Sequence, residues 1–176
     1  MKGRRLKGAT VSGARPTSEL VRGAVFNVLG PLDGRPTRVL DLYAGSGSLG
    51  IEALSRGAQW TDFVENHPRQ CAALRENLAN TDFTRSARVY CIDSTNALKV
   101  LEGPYQLVLM DPPYRLTSLD HVLGPLAGSR LLEEGSTVVV GHSKRLTLQQ
   151  AYDGLEQVRG YRYGDSVMDF YEKGGN

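Results

Sequence analysis

Between residues 37 and 114 the chain repeats one pattern: a short apolar run ends at or beside an acidic residue and gives way to helical spacing. Thr37–Leu42 predicts a first strand, a Gly-rich turn follows, and a helix runs from Leu49 to about Arg56, with Gly57 fitting its C-cap. Trp60–Glu65, Ala87–Ile92 and Tyr105–Met110 predict three further strands, and Ser136–Val140 a fifth. Between them, His67-Pro68 opens a helix with proline in its first turn and Cys71, Leu74 and Leu78 on its buried side. Ser94–Leu101 and a segment within Ser118–Ala127 predict two more helices. Such alternation closes into a parallel sheet with helices on both faces. The tail differs: Glu156–Tyr163 and Ser166–Tyr171, joined at Gly164-Asp165, read as an antiparallel hairpin. At the other end, Leu20/Val21, Ala24/Val25 and Val28/Leu29 recur at four-residue spacing, which predicts a helix over 17–29 that Gly30-Pro31 stops. The expectation is one Rossmann-like α/β domain, a mostly parallel seven-stranded sheet with a C-terminal antiparallel hairpin.

Length agrees, since 176 residues can bury a sizeable core without disulfide or metal staples. The net charge of +2 is unevenly spread: residues 1–38 carry eight Lys/Arg against Glu19 and Asp33, a balance of +6, which leaves −4 for the other 138 residues. We therefore divide the chain into a basic arm, residues 1–13, and a domain, residues 14–176. Arg4, Arg5, Arg15 and Arg22 are the candidate phosphate contacts of a nucleic-acid binder, the competing reading being a solubilising tail. No stretch approaches the roughly 20 apolar residues that span a bilayer, and the N-terminus has no apolar run behind its charges, so neither a membrane nor a secretory signal is expected. Cys71 and Cys91 lack metal-ligand spacing and are expected in the core of a reduced, cytoplasmic protein. No metal is expected.

Asp41-Leu42-Tyr43-Ala44-Gly45-Ser46-Gly47-Ser48-Leu49-Gly50 joins the first strand to the first helix after it. Glycines there permit positive φ and close approach of backbone to a ligand. Gly45 to Gly50 matches G-x-G-x-x-G with Glu65 twenty residues after Gly45, which supports a nicotinamide-dependent oxidoreductase. Three acids favour S-adenosylmethionine instead. Asp41 would repel a pyrophosphate but suits the cationic amine of a methionine moiety. Glu65, ending the second strand, can accept both ribose hydroxyls, and Asp93, ending the third, can accept from an adenine amine. Each acid could equally be an N-cap, Asp93 above all.

Asp111-Pro112-Pro113-Tyr114 follows the apolar run Leu107–Met110. Two prolines remove two backbone donors, so the carboxylate and the carbonyls form a rigid acceptor site, with the Tyr114 ring beside it for stacking. A planar group with an exocyclic NH2 suits this site. The plain alternative is a strand that ends in a proline turn.

Together, the Asp41–Gly50 turn, the acids at 65 and 93, and Asp111–Tyr114 resemble class I S-adenosylmethionine-dependent methyltransferases that act on exocyclic amines. Arg15–Leu29, Asp41–Ala58 and the hairpin Arg162-Tyr163-Gly164-Asp165 with Phe170-Tyr171 are similar to the RsmD-type 16S rRNA guanine-N2 methyltransferases, and the likeness covers residues 4–173. The resemblance implies Asp111, Pro112, Pro113 and Tyr114 as the catalytic set. It implies cofactor contacts from Asp41, Tyr43, Ala44, Gly45, Ser46, Gly47, Glu65, Asn66, Asp93 and Ser94. Small-subunit rRNA or a 30S assembly particle is the implied substrate, with no obligate protein partner. Two departures stand out. Members usually have more residues before Lys2–Leu6, forming an initial strand, and strand five here ends in Gly141-His142 where an acid is common; His142 is expected to be structural. DNA or RNA adenine-N6 methyltransferases share the acceptor geometry but usually need extra target-recognition sequence. A non-catalytic RNA-binding module would explain the arm but not Asp111–Tyr114.

Overall fold

A computed structural model describes residues 5–8 and 17–175. The first helix, α1 (Glu19–Leu29), is N-capped by Ser18, whose hydroxyl accepts from Val21 N at 3.2 Å. Strands and helices then alternate: β1 (Arg38–Leu42), α2 (Ser48–Ser55), β2 (Trp60–Val64), α3 (Pro68–Asn80), β3 (Ala87–Tyr90), α4 (Ser94–Val100), β4 (Tyr105–Met110), α5 (Asp120–Ala127) and β5 (Leu132–Ser143). Three antiparallel strands close the chain: β6 (Ala151–Tyr152), β7 (Leu155–Tyr163) and β8 (Ser166–Lys173).

All eight strands join one sheet in the order β3-β2-β1-β4-β5-β8-β7-β6. The first five run parallel and β8 turns antiparallel against β5. The expected fold class holds, with eight strands rather than seven. The extra one, β6, pairs only Ala151 with Glu156 and Tyr152 with Leu155, too short to produce a readable alternation. Strand β5 is also longer than Ser136–Val140. Its polar start, Glu133-Glu134-Gly135, breaks the apolar run, yet Ser136 Oγ holds the strand by donating to Tyr105 O at 2.7 Å.

The strands' alternation sorts their side chains into two cores. Leu40, Leu42, Val108, Met110, Val138 and Val140 pack under α4 and α5. Val39, Phe63, Leu107, Leu109 and Val139 pack under α1, α2 and α3. Cys71 is buried and donates its thiol to Glu65 O at 3.2 Å, whereas Cys91 is exposed. The expectation for Cys91 does not hold, because β3 is the edge strand with none of its residues fully buried, and the chain has already left it at Tyr90. Among the described residues, no helix is long and apolar enough to cross a membrane.

One parallel register positions the candidate site. Leu42 pairs with both Val64 and Met110, Val64 with Tyr90, and Met110 with Val140, so these residues form a row across the sheet. Glu65 and Asp111 stand one residue beyond that row and Asp41 one residue before it.

Phe63 ties this register to the helical layer. It is fully buried, and its ring occupies the space beside both Gly47 and Gly50. Phe63→Ala should cost about 3–5 kcal/mol of unfolding free energy through the cavity it leaves. Urea denaturation measures this, and a loss below about 1 kcal/mol would mean that α2 does not depend on Phe63.

Candidate functional site

Along the carboxyl edge of the sheet the strand order sets the acids in the sequence Asp93 after β3, Glu65 after β2, Asp41 on β1 and Asp111 after β4. With strands about 4.8 Å apart, they cover roughly 14 Å of edge. Helix α2 begins there without a side-chain cap, because its N-cap is Gly47 at φ 85°. Asp41 supplies what is missing: its Oδ2 accepts from Gly50 N, in the helix's first turn, at 2.9 Å. A Cβ on Gly50 would come 2.3 Å from the Phe63 ring and 3.0 Å from Asp41 Oδ2, so only glycine allows this approach. Gly47 is tight for another reason, since a Cβ there would meet Leu74 of α3 at 2.1 Å. Gly45 differs from both: its φ is +56° and no described residue lies within 4 Å of where a Cβ would be.

Glu65 bridges two loops. Its Oε2 accepts from Gly45 N at 2.8 Å and its Oε1 from His67 N at 3.0 Å, so the second strand's acid holds the turn after the first. Tyr43, at the left-handed φ of 60°, is a non-glycine residue in a disfavoured conformation at the end of β1. Its hydroxyl accepts from Ser94 Oγ at 3.0 Å, which brings those two candidates together; burial, partly offset by that bond, raises the Tyr43 pKa. Asp93 caps α4, accepting from Asn96 N at 2.9 Å and Asn96 Nδ2 at 2.6 Å, with its pKa lowered by the backbone bond. Of the four acids, it alone takes the N-cap alternative. Asn66 is exposed beside Glu65, and Ala44 and Ser46 lie within the turn.

Asp111 is half-buried and its Oδ2 accepts from Thr17 Oγ1 at 2.5 Å. Its Oδ1 lies over Gly141, where a Cβ would come within 2.7 Å. Glycine at the end of β5, in place of a side chain, therefore leaves room for Asp111. Pro113 O accepts from Leu116 N at 3.2 Å, and Tyr114 OH donates to Ser166 Oγ at 2.8 Å. His142 is structural as expected: it sits between β5 and β8 with Nδ1 against Ser143 O at 2.8 Å and Nε2 against Asp169 Oδ2 at 2.6 Å. Two acceptors around one ring favour the imidazolium; burial pulls the His142 pKa down, but the Asp169 and Ser143 bonds outweigh it and the net shift is upward.

Three residues at the site escaped the sequence reading: Thr17, Asn77 and Ser166. Asn77 is buried, accepts from Lys7 N at 2.8 Å, and donates to Lys7 O at 2.7 Å and Ser46 O at 2.9 Å. It thus straps residues 6–8 to the Gly-rich turn. A polar residue between Leu74 and Leu78, within the apolar stripe of α3, was the available signal. Thr17 and Ser166 carry none, since their roles depend on long-range pairing. Arg5 is exposed, and Arg22 lies 3.9 Å from Glu52 of α2, in an ion pair that Arg56 shares at 2.8 Å. Arg4 and Arg15, with most of the arm, lie outside the described residues.

Burial pushes the Asp41 carboxyl up to about 8; the Gly50 bond opposes this, while Asp111 and Glu65 add to it. The folded protein therefore holds a proton that the unfolded chain has lost, and stability falls as pH rises from about 4 to about 8. Asp41→Asn keeps the acceptor for Gly50 N without the ionisation. The melting temperature of the variant relative to the parent should climb steadily across that window, whatever its offset. A difference that stays flat with pH would show that Asp41 ionises normally.

The sequence model of the family described as Conserved hypothetical protein 95 matches residues 1–172. YlbH of Bacillus subtilis is 35% identical over 178 residues, covering 99% of this chain and 96% of that protein. Ribosomal RNA small subunit methyltransferase D of Escherichia coli is 33% identical over 139 residues, 79% of this chain and 69% of that protein. Among solved structures, yhhF of Escherichia coli superposes with a TM-score of 0.85 at 29% identity, covering 99% of this chain and 94% of its own. A conserved hypothetical protein of Streptococcus pyogenes does so with a TM-score of 0.81 at 34% identity, covering 87% and 95%. The family model matched over residues 1–172 and relatives at 33–35% identity make the chain a member of the RsmD-type methyltransferase family.

Proposed function

We propose that the protein transfers a methyl group from S-adenosylmethionine to the exocyclic N2 amine of a guanine in small-subunit rRNA. The observation that carries the reading is the adjacency of two different sites: acceptors at the end of β4 lie directly beside the acid-lined turn of β1. The name of the Escherichia coli relative supports rRNA as the substrate.

The residues fit the cofactor. Asp111 and Glu65 both disfavour ionisation of Asp41, so an arriving positive charge, such as the methionine amine, relieves a repulsion already present. Gly45 opens space above the turn, and Glu65 keeps lone pairs for ribose hydroxyls beyond its two backbone bonds. Tyr43, Ala44, Ser46, Gly47, Asn66, Asp93 and Ser94 complete the proposed contacts. When bound, S-adenosylmethionine supplies an electrophilic methyl on a sulfonium.

The chain's own residues then act on the target amine. Its lone pair is conjugated with the ring and poorly nucleophilic. Asp111 and the Pro112 carbonyl accept its two N–H bonds, which favours a pyramidal nitrogen aimed at the methyl. Thr17 holds the Asp111 carboxylate in place, and Pro113 stiffens the turn. Tyr114, anchored on Ser166, presents a ring for the flipped base to stack on. One N–C bond forms as the methyl leaves sulfur, and one N–H proton is released. The basic arm with Arg4 and Arg5, together with Arg15 just after it, supplies phosphate contacts, and Arg22 adds to these only in so far as Glu52 releases it.

Two measurements test this reading. Labelled methyl should pass to unmethylated small-subunit particles or naked 16S rRNA and not to duplex DNA, and Asp111→Ala should abolish the transfer while changing cofactor affinity only a few fold. Near-parental turnover in Asp111→Ala removes that residue from the reaction, and labelled N6-methyladenine in DNA would favour the adenine-N6 alternative. Independently, cofactor binding near pH 7 should release a proton from Asp41, seen by calorimetry as an enthalpy that varies with the buffer's ionisation heat. A buffer-independent enthalpy would place the methionine amine elsewhere.

A further inference from the structure

Beyond Val140, the row partner of Met110, β5 continues for three residues to Ser143, and β8 starts opposite it at Ser166. At about 3.3 Å per residue, β5 and the β7–β8 turn rise roughly 10 Å above the parallel edge as a wall beside Asp111. The wall is braced at its top. Lys144 N donates to Asp165 O at 2.9 Å, and Lys144 Nζ pairs with Asp165 Oδ1 at 2.7 Å, bolting the loop after β5 to the hairpin turn. Just below that brace the wall meets the candidate site, where Tyr114 OH donates to Ser166 Oγ.

Cations crown this wall. Arg145 follows Lys144, Arg162 folds over the turn with Nε donating to Gly164 O at 3.1 Å, and Arg115 directly follows Tyr114. All three are exposed, and among the described residues none forms an ion pair. Asp165 is the acid set among them: the Lys144 bond first, then the fields of Arg145 and Arg162, hold its carboxyl below the usual range. The crown thus keeps an excess of positive charge although the chain beyond residue 38 sums to −4. A local excess of arginine forks over an acidic background suits a polyanion.

We propose that this wall is an RNA-backbone docking surface, in which Arg115, Arg145 and Arg162 engage phosphates flanking the nucleotide presented to Asp111–Tyr114. The inference rests on the proposed function and adds a second phosphate-binding element to the arm. Held by two strands and a braced turn, it fixes direction where the arm supplies reach.

The test is the salt dependence of binding to naked 16S rRNA by Arg145→Gln/Arg162→Gln, which spares the Lys144–Asp165 brace. An equal charge removal at the opposite edge of the sheet, Arg85→Gln/Arg130→Gln, serves as the control. Without the two crown arginines, the log-log salt slope should fall by about 1.4–1.8, while melting temperature, S-adenosylmethionine affinity and turnover at saturating RNA stay at the parent's values. The control should keep the parent's slope. A parental slope in Arg145→Gln/Arg162→Gln overturns the proposal, as does an equal fall in the control. A defect confined to assembled particles also overturns it and assigns the crown to a ribosomal protein. A parent that binds RNA with a steep slope but methylates none of it refutes the proposed function, and the docking surface is still judged by the slopes.

Discussion

The bond from Gly50 N to the buried Asp41 carboxyl carries more of this architecture than its 2.9 Å length suggests. The first amides of any helix lack intrahelical partners. Helix α2 starts on a glycine and has no side chain of its own to receive them. A carboxyl from the preceding strand does so, which locks the end of β1 to the start of α2 and fixes the turn between them. That bond requires a residue without Cβ at position 50, a small surface under the Phe63 ring, and Leu74 seated against Gly47. Strand, turn, helix and the neighbouring α3 are therefore adjusted to one buried acid.

The same bond explains why the region was legible in the sequence. Acid, turn glycines and helix lie within ten consecutive residues, so local spacing carries the geometry. The parallel block was legible for a related reason: apolar runs separated by helical spacing leave few ways to close a sheet. The limits of reading came where partners are distant. Thr17 reaches Asp111 across 94 residues, Tyr114 reaches Ser166 across 52, and Asn77 reaches Lys7 across 70. None of these pairs leaves a periodicity. Cys91 and β6 failed for the opposite reason: Cys91 follows an edge strand with none of its residues fully buried, and β6 is only two residues long.

Gly141 and His142 show how a departure from a family pattern can be compensated. Where an acid is common, Gly141 makes room for Asp111, and the following side chain is directed into the β5–β8 pair. There Asp169 meets His142, and Gln157 Nε2 donates to Asp169 at 2.8 Å from β7. This buried polar cluster holds the hairpin to the parallel sheet at the level of the candidate site. The wall above it is rigid because its base is hydrogen-bonded across three strands, not because its turn is short.

Electrostatically, the edge is built against its own stability. Burial, Asp111 and Glu65 all disfavour charge on Asp41, and the protein tolerates this by keeping the proton to about pH 8. An apolar residue at 41 would remove the repulsion, but it would leave Gly50 N without its acceptor. In the proposed reading, the arrangement is useful because it is unsatisfied. A cation bound at Asp41 stabilises the ionised carboxylate, and the energy held as a raised pKa appears as affinity. Asp111, one strand away, gains from the same positive charge, because a cation at Asp41 offsets the repulsion between the two acids. Cofactor and substrate sites would then be coupled through charge.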